Sequence, residues 1–306
     1  MRVTGMMQNT QFLKNLRNTN MGLVDLQNKL ATGERIHRPG DDPVGIGYLM
    51  RYDTELDRSK EFLENARTGK GWLNQMDDLM QQANKVLQRT RVLVQQAATD
   101  TTPDDARQHI KAEIEQLKEQ MVAIGNSTYN GRFIFNGQKS DLPPYTNDGA
   151  AYEQTDKGLY YLNVSSSVTV PVSITGEDIF GTAGKPAAGG QPAVPSDNVF
   201  QIFDEIINNL SNNDIIALSS DMEKIDGAAD RILTNSAEIG ARTNRFSLIE
   251  ERILDEQLSL EELRAQVGGA DMPGTFIELQ LKQNILQASL ATGSQIMRVS
   301  LVDYIR

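Results

Sequence analysis

The chain has 306 residues, no cysteine, 39% hydrophobic residues and a formal net charge of -11 at pH 7. An acidic chain repels phosphate backbones, so we expect no nucleic-acid partner. Without cysteine there is no disulfide framework, no thiol nucleophile and no Cys-ligated metal. The sequence contains no run of about 18 apolar residues and no apolar N-terminal segment of the Sec type, so we expect no membrane insertion and no Sec signal.

The first predicted element is a helix over residues 8–31. Leu16, Leu23 and Leu30 recur every seven residues, and Gly33 follows as the predicted C-cap. Two prolines and a pair of aspartates come next, and these residues break helices and favour turns. We interpret this break as a hinge, formed by Gly33, Pro39, Gly40, Asp41, Asp42 and Pro43.

Two longer segments, 73–97 and 218–260, also carry apolar residues at seven-residue intervals. A seven-residue period keeps one seam of a helix facing a partner helix. At 1.5 Å per residue the second segment spans roughly 63 Å. Pairing of these two rods within one chain is favoured, with pairing between chains as the alternative. The predicted rod core is Leu73, Met80, Leu87, Val94, Leu218, Ile225, Ile232, Ile239, Phe246, Ile253 and Leu260.

The segment between the rods has a different composition. A helix is predicted over 103–125, where Pro103 suits the first turn. From Gly131 onward, glycine, proline and β-branched residues replace helix formers, and residues 160–164 and 168–170 alternate in polarity. We therefore predict a small β-rich insert over 138–197.

A second break precedes the last helix, and its predicted hinge residues are Gly268, Gly269, Pro273 and Gly274. The helix that follows is apolar on more than one side, and such a helix must be covered by neighbours. We predict that both chain ends form an assembly interface; the alternative is an ordinary core closed within one molecule. The candidate interface residues are Leu16, Leu23, Leu30, Leu286, Leu290, Met297 and Leu301.

The order is therefore helix, hinge, rod, insert, rod, hinge, helix. This order predicts a mainly α fold: an elongated, discontinuous helical bundle with heptad-patterned rods and a small β-rich inserted domain. The predicted domains are the terminal helices (1–40 and 268–306), the helical rod domain (41–137 and 198–267) and the outer insert (138–197).

Nothing in the sequence points to catalysis, a cofactor or a metal. His37 lies close to Asp41 and Asp42, but a ligand set needs three or four convergent groups, and His109 is far away in sequence. We interpret this segment as a solvated turn and expect a chain that is not an enzyme.

Several motifs resemble those of bacterial flagellins and their relatives. Residues 30–36 with 41–43 are similar to the N-terminal flagellin signature, and 270–272 to the matching C-terminal break. Residues 130–137 and 300–306 resemble the relatives found between hook and filament. The resemblance implies a secreted, non-enzymatic structural subunit at the hook–filament junction of the flagellum, exported by the flagellar type III system.

The resemblance also implies partners: copies of the chain itself, the hook-side junction protein, flagellin, and a cytoplasmic export chaperone on the C-terminal helix, about 275–306. Two other functions remain open at this point. One is a flagellin filament subunit, and the other is a secreted adhesin whose insert binds glycans on a coiled-coil stalk.

Overall fold

The computed structural model describes residues 5–99, 103–146, 150, 153–184 and 197–302. They fall into two units. We call residues 1–58 with 256–306 the terminal unit and residues 59–255 the central unit. No helix in the described part of the chain is long and apolar enough to cross a membrane.

The predicted mainly α fold class is confirmed, and the helices run further than the sequence predicted. The elements in chain order are α1 Gly5–Thr32, α2 Pro43–Ala97, α3 Asp104–Gly125, β1 Thr128–Tyr129, β2 Arg132–Phe133, β3 Tyr161–Ser165, β4 Val168–Pro171, α4 Gly176–Phe180, α5 Val199–Ser211, α6 Ile215–Gly268 and α7 Met272–Val302. Helices α2 and α6, with 55 and 54 residues, contain the two predicted rods and extend beyond them.

The helix ends at the two breaks follow from local capping. Gly33 adopts φ 73°, which suits glycine, and its N–H donates to the carbonyl of Lys29 at 2.9 Å, ending α1. The Asp42 carboxylate accepts the N–H of Gly45 at 2.9 Å at the start of α2, with Pro43 as the first helical residue. At the second break, the Asp271 carboxylate accepts the N–H of Gly274 at 3.3 Å at the start of α7, so both breaks contain a defined helix end.

Helices α2 and α6 are antiparallel partners within the central unit. Arg67 pairs with Glu250 at 2.9 Å, and Arg91 pairs with Asp226 at 2.6 Å. From Arg67 to Arg91 the residue number increases along α2, while that of the partner decreases along α6 from Glu250 to Asp226. The two helices are therefore antiparallel, and the rods pair within one chain. All predicted rod-core residues of the central unit are buried. Leu260 belongs to the terminal unit and is half-buried.

Helices α3 and α5 complete a four-helix bundle with α2 and α6. Lys118 of α3 contacts Asp204 of α5 at 2.5 Å, and Lys224 of α6 contacts Glu205 at 2.6 Å. These pairs lie at the margin of one continuous hydrophobic core. The core therefore draws on helices from both halves of the sequence.

Among the described residues, the β-rich part contains two separate two-stranded sheets. Strands β3 and β4, which pair Leu162 with Val170, lie where the alternation indicated strands. The β1–β2 hairpin lies outside the predicted insert; its turn residues Asn130 and Gly131 have φ 51° and 76°, typical of a type I′ turn. An Asn-Gly pair is a strong hairpin signal, but the predicted insert began after it.

An aromatic cluster attaches the β-rich residues to the bundle. The ring of Phe180 is 5.3 Å from that of Phe135 and 5.5 Å from that of Phe200, and the ring of Tyr145 lies 4.7 Å from that of Phe200. Burial raises the pKa of the Tyr145 hydroxyl well above its usual range. The three-part domain division stays a prediction, since the two units divide the chain inside α2 and α6.

In the terminal unit, α1 and α7 pack antiparallel to each other. A Cβ atom at Gly293 would overlap the ring of Phe12, and one at Gly22 would overlap the side chain of Lys282. The two glycines therefore permit a close approach of the helices.

Candidate assembly interface

The predicted interface leucines occupy different environments in the terminal unit. Leu23 is 5% exposed, Leu16 and Leu30 are half-buried, and Leu286 is half-buried. Leu290 is 52% exposed. The side chains of Met297 and Leu301 lie outside the described residues. Most of the described members of the predicted stripe are thus at least partly covered within the monomer.

A second apolar face of α7 is exposed. Ile277, Leu281 and Ile285 follow one another at four-residue spacing and are 68%, 59% and 44% exposed. Side chains at this spacing lie on one face of a helix. The predicted interface does not include this face: its α7 members Leu286 and Leu290 have the same four-residue spacing but begin one residue after Ile285.

The exposed apolar surface is large relative to the apolar core of the terminal unit. Among the described residues of this unit, the buried hydrophobic side chains are Leu23, Leu26, Ile36 and Leu56. Its exposed large hydrophobic side chains are Met7, Leu13, Met21, Val24, Val44, Tyr48, Met50, Leu258, Leu263, Met272, Phe276, Ile277, Leu281, Ile285 and Leu290. Exposed apolar surface on this scale is typical of a protein–protein interface.

The two predicted hinges lie side by side and are paired. The N–H of Arg35 donates to the carbonyl of Gly268 at 2.6 Å, and the N–H of Ala270 donates to that of Gly33 at 2.9 Å. These bonds form an isolated antiparallel bridge between Glu34 and Gly269. The hinge assignment stays a prediction, but any motion at one break must involve the other.

Arginine side chains reinforce this pairing. Arg264 donates from Nε to Asp53 at 2.6 Å and from Nη2 to Glu34 at 2.9 Å, and Arg35 donates to the Val267 carbonyl at 3.0 Å. The hydrogen bond to Asp53 is the main cause that raises the pKa of Arg264. Because these groups are largely exposed, solvent screens the pairs. Their main contribution is to fix the register in which the two breaks pair.

The turn that contains His37 is organised by its own hydrogen bonds. The Asp41 carboxylate accepts the N–H groups of His37 at 3.1 Å and Arg38 at 3.0 Å, and these two bonds lower the pKa of Asp41. The Thr32 hydroxyl donates to the carbonyl of Asn28 at 2.9 Å, so the contact of 2.8 Å with His37 requires its Nε2 to donate. These contacts give His37 and Asp41 structural roles.

No group of three or more histidine or carboxylate side chains within the described ranges is arranged to hold a metal ion.

The structure thus combines paired terminal helices, a discontinuous helical bundle and two capped breaks, and similar proteins are found among the flagellins and their relatives. Residues 3–140 match the family described as the bacterial flagellin N-terminal helical region. The chain is 21% identical to flagellar hook-associated protein 3 of Salmonella typhimurium, an alignment that covers 98% of each chain. It is 25% identical to flagellin of Bacillus subtilis, over 92% of this chain and 93% of that one.

A solved structure of a putative flagellar hook-associated protein from Vibrio parahaemolyticus has the same fold. It superposes with a TM-score of 0.66 at 19% identity and covers 75% of this chain and 100% of that one. The predicted resemblance to flagellins and to hook-associated protein 3 is confirmed, and with it the function class, a structural protein of the bacterial flagellum.

Proposed function

We propose that this chain is the adaptor that connects the flagellar hook, through the hook-side junction protein, to the flagellin filament. The proposal is supported by relatives named hook-associated protein 3, which match it over 98% of their length. It requires a chain that is secreted through the flagellar type III system and has no enzymatic role.

The observation that carries the proposal is the exposed apolar face of α7. Complete burial of a leucine or isoleucine side chain contributes roughly 1.5–3 kcal/mol. Covering Ile277, Leu281 and Ile285 by neighbouring subunits therefore favours assembly strongly. The same face would promote premature association in the cytoplasm, which supports the proposed export chaperone on residues 275–306.

The test is deletion of the gene in the bacterium that encodes this chain. We expect electron microscopy to show hooks without filaments, together with flagellin monomers in the medium, because filament subunits are made but have no junction to join. Complementation with the unaltered chain should restore filaments. Attached filaments of normal length in the deletion strain would contradict the proposal.

A flagellin filament subunit is the second candidate, and the 25% identity to Bacillus subtilis flagellin favours it. The two functions differ in copy number. If deletion removes the flagellin itself, so that neither the filament nor the medium contains it, the chain is a filament subunit.

The hinge prediction belongs to the adaptor function, since a junction must fit the lattices of both hook and filament. A Cβ atom added at Gly40 would meet open space, whereas a Cβ at Gly274 would lie 2.5 Å from the Asp271 carboxylate. We expect valine at both positions to reduce filament attachment. Normal attachment and motility of the double variant would contradict the hinge.

A further inference from the structure

The sequence contains two Asn-Gly pairs, Asn130–Gly131 and Asn136–Gly137, and both lie in the central unit. In such a pair the backbone nitrogen of glycine is able to attack the side-chain carbonyl carbon of asparagine, because glycine has no Cβ atom to hinder the approach. The attack needs an amide side chain that is free to turn and space in which the backbone rotates. The two pairs differ in both respects.

Asn136 is buried and held by hydrogen bonds. It is 7% exposed, and its Nδ2 donates to the carbonyls of Lys139 and Leu142, each at 3.0 Å. Its Oδ1 accepts the N–H of Asp156 at 3.2 Å. A Cβ atom on Gly137 would overlap the carbonyl oxygen of Asp156, so the backbone that follows Asn136 is closely packed as well. Rotation of this amide would leave buried donors and acceptors without partners, so the second pair is protected.

Asn130 is exposed, and its surroundings are open. Its side chain forms no hydrogen bond with another residue that the structure describes, and the N–H of Gly131 donates to none of them. A Cβ atom on Gly131 would meet nothing within 4 Å. Strands β1 and β2 on either side have two residues each, so the turn opens without disturbing the core. The amide of Asn130 therefore reaches the nitrogen of Gly131 after a purely local motion.

We propose that Asn130–Gly131 is a site of spontaneous covalent modification, at which the asparagine converts to aspartate and isoaspartate while Asn136–Gly137 stays intact. The modification is independent of the proposed junction function, since it depends only on the local structure of the hairpin. A deletion strain with bare hooks would neither support nor contradict it.

The conversion has two steps and consumes only water. In the first step the nitrogen of Gly131 bonds to Cγ of Asn130 and loses its proton to hydroxide. Water returns a proton to the departing Nδ2 group, which leaves as ammonia, and a succinimide ring remains. In the second step water adds to one ring carbonyl carbon, and the bond from that carbon to the ring nitrogen breaks. Breakage at Cγ gives aspartate, whereas breakage at the main-chain carbonyl carbon gives isoaspartate, and no group is oxidised or reduced.

The two products differ in their effect on the hairpin. Aspartate followed by glycine also suits a type I′ turn, so it keeps β1 and β2 paired and adds one negative charge. Isoaspartate adds a carbon atom to the main chain, which lengthens the two-residue turn and disturbs the pairing of Tyr129 with Arg132. The ring of Tyr129 lies 5.7 Å from that of Trp72. Formation of isoaspartate should therefore loosen a contact of the single tryptophan.

Peptide mapping of the full chain tests the proposal, because trypsin cleaves between the two pairs. Cleavage after Arg132 places Asn130 in the peptide 119–132 and Asn136 in the peptide 133–139. The purified chain is incubated in mildly alkaline buffer, digested, and followed by mass spectrometry with fragmentation that separates aspartate from isoaspartate; a sample digested at once gives the baseline. In the folded chain we expect residue 130 to convert at least about tenfold faster than residue 136, which must wait for local unfolding.

The same chain in urea is the matched control, since unfolding removes the contacts of Asn136 and leaves the sequence unchanged. Both asparagines follow an aromatic residue, Tyr129 or Phe135. In urea the two should therefore convert at rates within about threefold of each other. Equal conversion of residues 130 and 136 in the folded chain would overturn the proposal, and so would conversion of residue 130 in urea but not in the folded chain.

The variant Asn130→Gly tests the effect on the hairpin. A Gly-Gly pair also favours the type I′ turn, so the variant keeps the hairpin but has no amide to lose. During incubation the Trp72 fluorescence of the unaltered chain should change in proportion to its isoaspartate content, whereas the variant should keep its initial spectrum. An equal change in both chains, or none in the unaltered chain despite isoaspartate formation, would overturn the proposed loosening of the hairpin.

Discussion

The central unit buries most of its large apolar side chains, whereas the described part of the terminal unit leaves most of its own exposed. The central unit places the seams of α2 and α6, the stripe of α3 and the aromatic residues of the β-rich part into one core. The described part of the terminal unit buries Leu23, Leu26, Ile36 and Leu56 and leaves a longer series of large apolar side chains in solvent. One unit is complete as a monomer, and the other has surface left for neighbours.

This difference predicts that the stability of the chain and its assembly depend on different residues. Substitutions in the central core should change the free energy of unfolding, whereas substitutions on the exposed faces of the terminal unit should change attachment. Trp72, the single tryptophan, is 5% exposed in the central unit and provides a fluorescence signal for its unfolding.

The largest expected effect is in the central core. Phe246 is fully buried, so Phe246→Ala removes a ring that its surroundings cannot replace, and we expect the free energy of unfolding to fall by about 3–5 kcal/mol. Urea titration followed by Trp72 fluorescence measures the change. A loss below about 1 kcal/mol would mean that the central unit does not depend on this seam.

A smaller effect is expected at Gly69, which faces the same ring. A Cβ at this position would lie 2.7 Å from Phe246 and 3.1 Å from Leu162, so Gly69→Ala should cost about 1–2 kcal/mol despite its better helix propensity. The matched control is Gly240→Ala in α6, where the added carbon would meet nothing within 4 Å apart from its own helical backbone and chain neighbours. That variant should gain up to about 1 kcal/mol, and a similar loss in both would contradict the packing argument.

The exposed face of α7 should show the reverse pattern. Leu281 is 59% exposed, so Leu281→Ala should change the free energy of unfolding by less than about 0.5 kcal/mol while reducing filament attachment in a complemented deletion strain. Leu233→Ala in the central unit is the control, since Leu233 is 62% exposed. If filaments attach equally well with both variants, the exposed apolar face of α7 is not required for assembly.

The smallest effect is local and depends on pH. The pKa of Asp41 is lowered by hydrogen bonds from the backbone of His37 and Arg38. The stabilisation of the turn is therefore present above the ordinary pKa of aspartate, about 4, and is lost as the pH falls through the lowered pKa of the folded state. Amide NMR shifts of His37 and Arg38 should move in that acid range, and Asp41→Asn should abolish the movement.

Local patterns predicted much of the secondary structure. The seven-residue repeats placed both rods and Gly33 ended α1, because periodicity and capping act over one or two helical turns. Pro43, which the sequence assigned to the hinge, is instead the first residue of α2. The β1–β2 hairpin was missed even though its signal is local, since Asn130 and Gly131 lie between the predicted helix at 103–125 and the predicted insert.

The sequence predicted the candidate assembly interface less well than it predicted the secondary structure. Seven-residue spacing on α1 placed Leu23 in the predicted interface, but Leu23 is buried within the monomer, whereas Leu281 on α7, which the prediction did not include, is exposed. A helix that is apolar on two sides does not specify which side a neighbouring helix of the same chain will cover.

The amino-acid sequence by itself determined that the chain forms long helices and where they break, and it predicted that neighbouring molecules cover the apolar chain ends. Only the tertiary structure decided which apolar face stays exposed and that residues 33–35 pair with 268–270. These outcomes depend on contacts between segments more than 200 residues apart, and a local pattern carries no information about which distant segment will meet it.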